Sequence, residues 1–273
     1  MKLEDRVEEI RLLIWKAFDK RLQRLGLMDS RQYDQDRVLP ENLDERKRLD
    51  DILENLVGET GDYVHAREKL IDELCFTLFN RVAGVKVMEA QDLMHPIFTR
   101  DEAHGGRSFG HKRWLEDNPD KRSNPREGLR DYIKAEFKVL SDKIQLYSPD
   151  YLYNMLPDVN ELDEIIDEFN KISDDDWHSD DIMGWMYEYY NRTKREEFKS
   201  TGDKIEYQWV SLTSQYYTPR WVVEFILNNS LGKLWMEMHP ESSLKDNHDI
   251  ANVPEEATIV AKPVQDIKVL DPA

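Results

Sequence analysis

Residues 62–92 limit the possible folds more than any other stretch. Leu70, Ile71, Leu74, Cys75, Leu78, Phe79, Val82 and Val85 recur on one helical stripe. That stripe is wide enough to be core rather than a narrow seam. A second amphipathic helix is expected over residues 2–27, through Val7, Ile10, Leu13, Ile14, Ala17, Phe18, Leu22 and Leu25, with Gly26 as its stop. Pro40 to about Val57 reads as a surface helix broken by Gly58-Glu-Thr-Gly61. Residues 129–172 alternate helices with breaks at Tyr147-Ser-Pro149 and Leu156-Pro157, and Leu162, Ile165, Ile166 and Phe169 mark a helix ending near Lys171. Ser173-Asp-Asp-Asp176 reads as a capping turn. Alternating strand patterns are scarce, so the chain is expected to be mainly α.

Residues 94–128 carry His95-Pro, His104-Gly-Gly, Gly110-His111, Asn118-Pro and Asn124-Pro, which predicts a long loop or a set of short turns. The three histidines with Asp101 and Glu102 match no zinc spacing and have no cysteine partners, so no metal is expected. The loop opens a basic region of ten cations over residues 100–138. Arg107, Lys112, Arg113 and Arg122 are its candidates for contact with a nucleic-acid backbone, and a plain solvated loop fits the same residues. Elsewhere the balance is acidic. The 273 residues carry a net charge of −18, and residues 141–200 hold 16 acidic against 6 basic side chains. The overall charge therefore argues against a general nucleic-acid clamp, which needs clustered cations.

Cys75 is the one cysteine, so no intramolecular disulfide can form, which fits a reducing cytoplasm. Its place in the apolar stripe predicts a buried, inert thiol. The amino terminus lacks a signal-peptide apolar core, and no run of about 18 apolar residues could span a membrane. No Gly-x-x-x-x-Gly-Lys-Ser/Thr motif is present, which sets aside a P-loop hydrolase.

The carboxyl-terminal stretch is the most informative about function. Thr218-Pro219 is a helix-start signal, with Thr218 as the cap and Pro219 at the first helical position. Val222, Phe225, Ile226 and Asn229 then share a face. After a polar connection over residues 239–263, which we expect to be mobile, Ile267–Leu270 reads as a short buried strand running into Asp271-Pro272.

Gln215-Tyr-Tyr-Thr-Pro219, Asn228-Asn-Ser-Leu-Gly-Lys-Leu-Trp235 and Val269-Leu-Asp-Pro-Ala273 together resemble the opening of the catalytic domain in adenine-specific DNA methyltransferases. The nearest likeness is the large single-chain kind of BREX phage-defence and fused restriction-modification systems. Asp181-Ile-Met-Gly-Trp-Met-Tyr-Glu-Tyr-Tyr-Asn191 resembles the helix that precedes the Thr-Pro motif there, and Phe79–Glu89 is similar to a helix of the family's amino-terminal region. The aromatic residues Trp185, Tyr187, Tyr189 and Tyr190 stand at helical spacing and read as core rather than as a base-stacking platform.

The resemblance implies S-adenosylmethionine as cofactor, placed beside Tyr217, Thr218, Pro219, Asp271 and Pro272. It implies double-stranded DNA as substrate and other phage-defence proteins as partners. It also implies a layout of a helical amino-terminal domain over residues 1–200, then the first helix and first strand of a truncated α/β Rossmann-like methyltransferase domain over 201–273. No Asn-Pro-Pro-Tyr or Asp-Pro-Pro-Tyr tetrad occurs in the chain, so no residue is a candidate for the catalytic step and the chain alone is expected to be inactive. The competing expectation is a non-enzymatic helical interaction module, a targeting subunit or decoy, that engages a partner through the acidic region 141–200.

Overall fold

The structure, a computed structural model, describes residues 1–201 and 217–270. The chain divides into two compact units, Met1–Thr213 and Ser214–Ala273.

The first unit is built around α3 (Tyr63–Ala90), a helix of 28 residues. Asp62 caps it by accepting from the His65 amide at 3.0 Å. Every residue of the expected stripe from Leu70 to Val85 is buried. Around it pack α1 (Leu3–Arg24), α2 (Leu43–Thr60), α6 (Val159–Asn170), α7 (Asp174–Trp177) and α8 (Ile182–Thr201). α1 ends where Gly26 takes a left-handed φ of 78°. α2 outlasts the expected break. Gly58 stays helical, and the stop is Gly61, whose φ of 89° lets its amide bond the Val57 carbonyl at 2.8 Å. A glycine inside a helix only weakens it, whereas a left-handed cap ends it. Ser173 caps α7 by accepting from the Asp176 amide. Tyr190 of α8 is buried, with its ring 4.7 Å from Phe79 and 5.5 Å from Phe76, and Trp185 and Tyr189 pack against the same core.

The region 94–128 is more ordered than its glycines and prolines suggest. A two-stranded antiparallel hairpin pairs β1 (Arg100–Asp101) with β2 (Arg107–Ser108), and α4 (Phe109–Asp117) follows directly. Two 3-10 turns, Pro119–Ser123 and Pro125–Gly128, then lead into α5 (Leu129–Ser141). Ser108 starts α4 by accepting from the His111 amide at 3.2 Å, a capping signal that is easily lost among turn residues.

The second unit holds α9 (Arg220–Leu227), a π turn over Asn228–Gly232, α10 (Lys233–Met238) and the short α11 (Leu244–Asn247). The polar connection after Trp235 is tied back at Asn229. Its amide nitrogen donates to the carbonyls of Phe225 and Asp249, and its oxygen accepts from the Ala251 amide. The expected strand Ile267–Leu270 does not form. Val269 and Leu270 are 80% and 85% exposed, and the segment pairs with no other strand among the described residues. An extended segment becomes a strand only when a neighbour satisfies its backbone.

Glu89, near the end of α3, is 8% exposed and accepts from the amides of Ile97 and Phe98 at 2.7 Å, from the Thr99 amide at 3.0 Å and from the Thr99 hydroxyl. Glu89→Ala leaves these buried donors unmet and should lower stability by about 3 kcal/mol, read as a shift in urea midpoint at unchanged slope.

Candidate functional site

The hairpin, α4 and the 3-10 turns bring the candidate basic residues into one neighbourhood. Gly105 and Gly106 turn the hairpin with φ of 66° and 74°. Across from it, Arg126 and Glu127 also lie in the left-handed region, at φ of 50° and 52°. Glu127 is held there by both ends. Its carboxylate takes a forked pair of bonds from Arg107 at 2.5 and 2.7 Å, and its carbonyl accepts from His111 Nε2 at 3.0 Å. The Arg107 bond holds the Glu127 carboxyl below its ordinary value. A cavity of about 140 Å³ lies between the hairpin and α6. Within it Asp163 of α6 receives Arg100 and, at 3.1 Å, Arg126, while Arg100 reaches Asp167 at 3.0 Å.

The four candidate cations therefore separate. Arg107 is committed to Glu127. Lys112, Arg113 and Arg122 are exposed and form no ion pair among the described residues. Lys112 and Arg122 share with Arg107 and His104 the lining of a basin of about 250 Å³, which Glu116 also borders. Arg113 lies outside that lining.

The histidines go to different tasks. His111 is stacked on Tyr132, with ring centroids 4.9 Å apart, whereas His95 stands 3.5 Å from Glu136. No group of three or more His, Cys, Asp or Glu among the described residues is placed to hold a metal ion. Cys75 is 1% exposed, and burial pushes its thiol well above the ordinary value. No described helix is long and apolar enough to cross a membrane.

Of the expected cofactor residues, Tyr217, Thr218 and Pro219 directly precede α9. Thr218 does not cap the helix. Pro219 takes the cap position instead, with ψ of 140°, and its carbonyl accepts from the Val222 amide at 2.9 Å. The helix thus begins one residue later than Thr-Pro spacing suggests, because Pro219 is still extended. Thr218 and Pro219 are exposed, and Tyr217 is half-buried. Asp271 and Pro272 lie outside the described residues, as do Gln215 and Tyr216. Tyr217 and Thr218 offer one phenol and one hydroxyl, and by themselves these do not fit a molecule as large as S-adenosylmethionine.

No protein-family profile matches the chain. Two curated proteins do. The adenine-specific methyltransferase BrxX of Escherichia coli O9:H4 (strain HS) is 28% identical over 148 aligned residues, covering 50% of this chain and 12% of the relative. The adenine-specific methyltransferase PglX of Lacticaseibacillus casei (strain Zhang) is 23% identical over 273 aligned positions, covering 80% of this chain and 22% of the relative. The chain is related to the BREX-type adenine-specific methyltransferases. It spans about an eighth to a fifth of the length of these methyltransferases.

His111 gives the hairpin region a pH dependence. Burial is the main cause that holds its imidazole below the ordinary 6.5. Protonation is therefore favoured in the unfolded chain, and the stabilisation from a neutral His111 is present above about pH 6.5 and is lost as the pH falls through the depressed folded value. Thermal melts at pH 8 and pH 5.5 should show a smaller acid-induced drop in Tm for His111→Phe than for the wild type.

Proposed function

We propose that this chain forms the helical amino-terminal region and the opening of the cofactor-binding domain of a DNA adenine-N6 methyltransferase that uses S-adenosylmethionine in phage defence. The observation that carries the reading is the likeness to two proteins named adenine-specific methyltransferases, one of them aligned over 80% of the chain. The second unit supports it. α9 leaves Trp221, Phe225 and Ile226 71%, 63% and 55% exposed, an apolar surface that isolated soluble units seldom present. On this reading the surface packs against the rest of a parallel-sheet cofactor domain, whose strands need both faces covered. The tetrad that holds the extruded adenine, and the glycine loop under the cofactor, belong to parts of the enzyme absent from these 273 residues.

The chain by itself is then neither active nor a strong cofactor binder. Tyr217 and Thr218 supply about one hydrogen bond and part of a ring face, a few kcal/mol before the entropy of binding is subtracted. Isothermal titration with S-adenosylmethionine should show no saturable binding tighter than about 10 μM, an affinity worth roughly 7 kcal/mol. Tighter binding would overturn this assignment of the pocket.

In the same reading Lys112, Arg113 and Arg122 meet DNA phosphates, whereas Arg107 acts within the protein. In an assembled methyltransferase that contains this chain, reversing Arg113 and Arg122 to Glu should weaken binding to all DNA sequences alike. It should also lower the slope of log affinity against log salt by roughly 2. Arg107→Ala should instead lower Tm and leave the slope unchanged.

A further inference from the structure

A second cleft, far larger than the basin beside the hairpin, opens between α2 and α5. It has a volume of about 650 Å³, within the size range of small-molecule sites. Leu49, Ile52, Phe137 and Met155 form its apolar floor. One wall is the face of α5 that carries Arg130, Lys134 and Lys138. These stand four residues apart, so three like charges share one helical edge, an arrangement that opposes helix formation unless something neutralises it.

The protein neutralises it only in part. Arg130 donates to the Leu156 carbonyl at 2.9 Å and lies 3.5 Å from Glu45, but Glu45 is already bonded to Arg21. Two acids of α5 look elsewhere, Asp131 to Lys121 at 3.0 Å and Glu136 towards His95. Lys134 and Lys138 form no ion pair among the described residues. Desolvation, with Arg130 as the next contribution, pulls the Lys134 ammonium below its ordinary value against the opposing pull of Glu45 and Asp131, and desolvation does the same to Arg130 against Glu45. Arg48, also in the lining, is spent on the carbonyls of Leu152 and Asn154 at 2.9 and 3.2 Å. The free acids of the lining, Glu41 and Asp44, sit at the start of α2, where the positive end of its dipole favours them. Their position has a structural reason. Lys134 and Lys138 are exposed at the rim of the cleft, above its apolar floor, and neither forms an ion pair among the described residues.

We propose that this cleft binds a small molecule in which an oxyanion is joined to an apolar body. The oxyanion sits between Lys134 and Lys138, supplies the missing counter-charge and relieves the repulsion along α5. The apolar body covers the floor of Leu49, Ile52, Phe137 and Met155. Neither half suffices alone: a bare anion leaves the floor wet, and a neutral body leaves the lysines unmatched. The proposal does not depend on the methyltransferase reading.

Three probes separate the halves: 8-anilinonaphthalene-1-sulfonate carries both, inorganic sulfate carries only the anion, and N-phenyl-1-naphthylamine carries only the body. The readout is the acetylation rate of individual lysines in the full chain, mapped by peptide mass spectrometry, with Lys112, likewise exposed but outside the cleft, as the control. At about five times its dissociation constant the sulfonate should slow acetylation of Lys134 and Lys138 roughly sixfold. Lys112 should be unaffected, and sulfate or the neutral amine should do far less. The Lys134→Arg/Lys138→Arg pair should keep binding of the sulfonate and the Lys134→Glu/Lys138→Glu pair should lose it, with circular dichroism checking that both fold. Protection of Lys134 and Lys138 no greater than that of Lys112 would overturn the proposal. So would equal protection by the neutral amine, which means an apolar patch, or by sulfate, which means charge alone. If the Glu pair does not fold, the probe comparison on the wild type still decides.

Discussion

Four buried charges on α3 hold the first unit together. Arg67, Arg81, Lys86 and Glu89 are all less than a tenth exposed, on a helix otherwise wrapped in apolar side chains. Burying a charge without partners is prohibitive, so each must be met by the segment that covers it. Arg67 donates to the Leu27 carbonyl and to Asp19, fastening the end of α1. Arg81 donates to the Leu146 carbonyl at 2.7 Å and to Asn154 at 2.6 Å, and its guanidinium lies over the Phe137 and Tyr151 rings. Burial brings Arg81 down to about 10. Lys86 reaches Thr99 and Asn170, and Glu89 gathers the amides of residues 97–99. Irregular chain at Leu27, Leu146, Asn154 and residues 97–99 is thereby fixed to the central helix by hydrogen bonds rather than by strand pairing.

α6 repeats the same logic on the outside. Its acids, with Asp158 just before it, are the counter-ions of cations from other elements. Asp158 takes Arg21 and Arg24, Glu161 takes Lys20, Glu168 takes Arg6, and Asp163 takes Arg100 and Arg126. Those four of the sixteen acids of residues 141–200 are therefore spent inside the unit, joining α6 to α1, to the hairpin and to the turn at Arg126. That removes part of the motive for reading the region as a docking surface for a basic partner. It also shows why a large net negative charge is compatible with local surfaces of opposite sign.

The long helices were legible because an apolar stripe repeats at a period that only a helix satisfies, and α1, α3 and α6 follow their stripes to within a few residues. The buried charges were not legible, since an arginine at position 81 looks the same in sequence whether it faces water or Phe137. α4 was hidden by its own start signal: Ser108-Phe-Gly-His111 reads as turn chemistry until the serine is seen to cap the helix. Ile267–Leu270 erred the other way. Its β-branched composition is a local property, whereas a strand exists only with a partner. At the basic region, counting charges placed Arg107, Lys112, Arg113 and Arg122 in one class, and only the fold distinguishes the paired from the unpaired.

That distinction turns on the strained turn at Arg126–Glu127. Each residue in the left-handed region costs about 1–2 kcal/mol, and two in succession are rarely tolerated outside glycine. An exposed ion pair would not offset this, being worth about 0–1 kcal/mol. Glu127, however, is bonded at both its carboxylate and its carbonyl, and the forked guanidinium geometry gives the Arg107 bonds direction as well as charge. Arg126 is likewise anchored at Asp163 and Asn160. The strain is thus sustained by partners on β2, α4 and α6 at once, so the turn can persist only when those three elements are already assembled. Arg107 belongs to that assembly. If it left Glu127, the turn would lose its forked anchor, so Arg107 is fixed to a role within the protein, whereas Lys112, Arg113 and Arg122 are exposed and form no ion pair among the described residues.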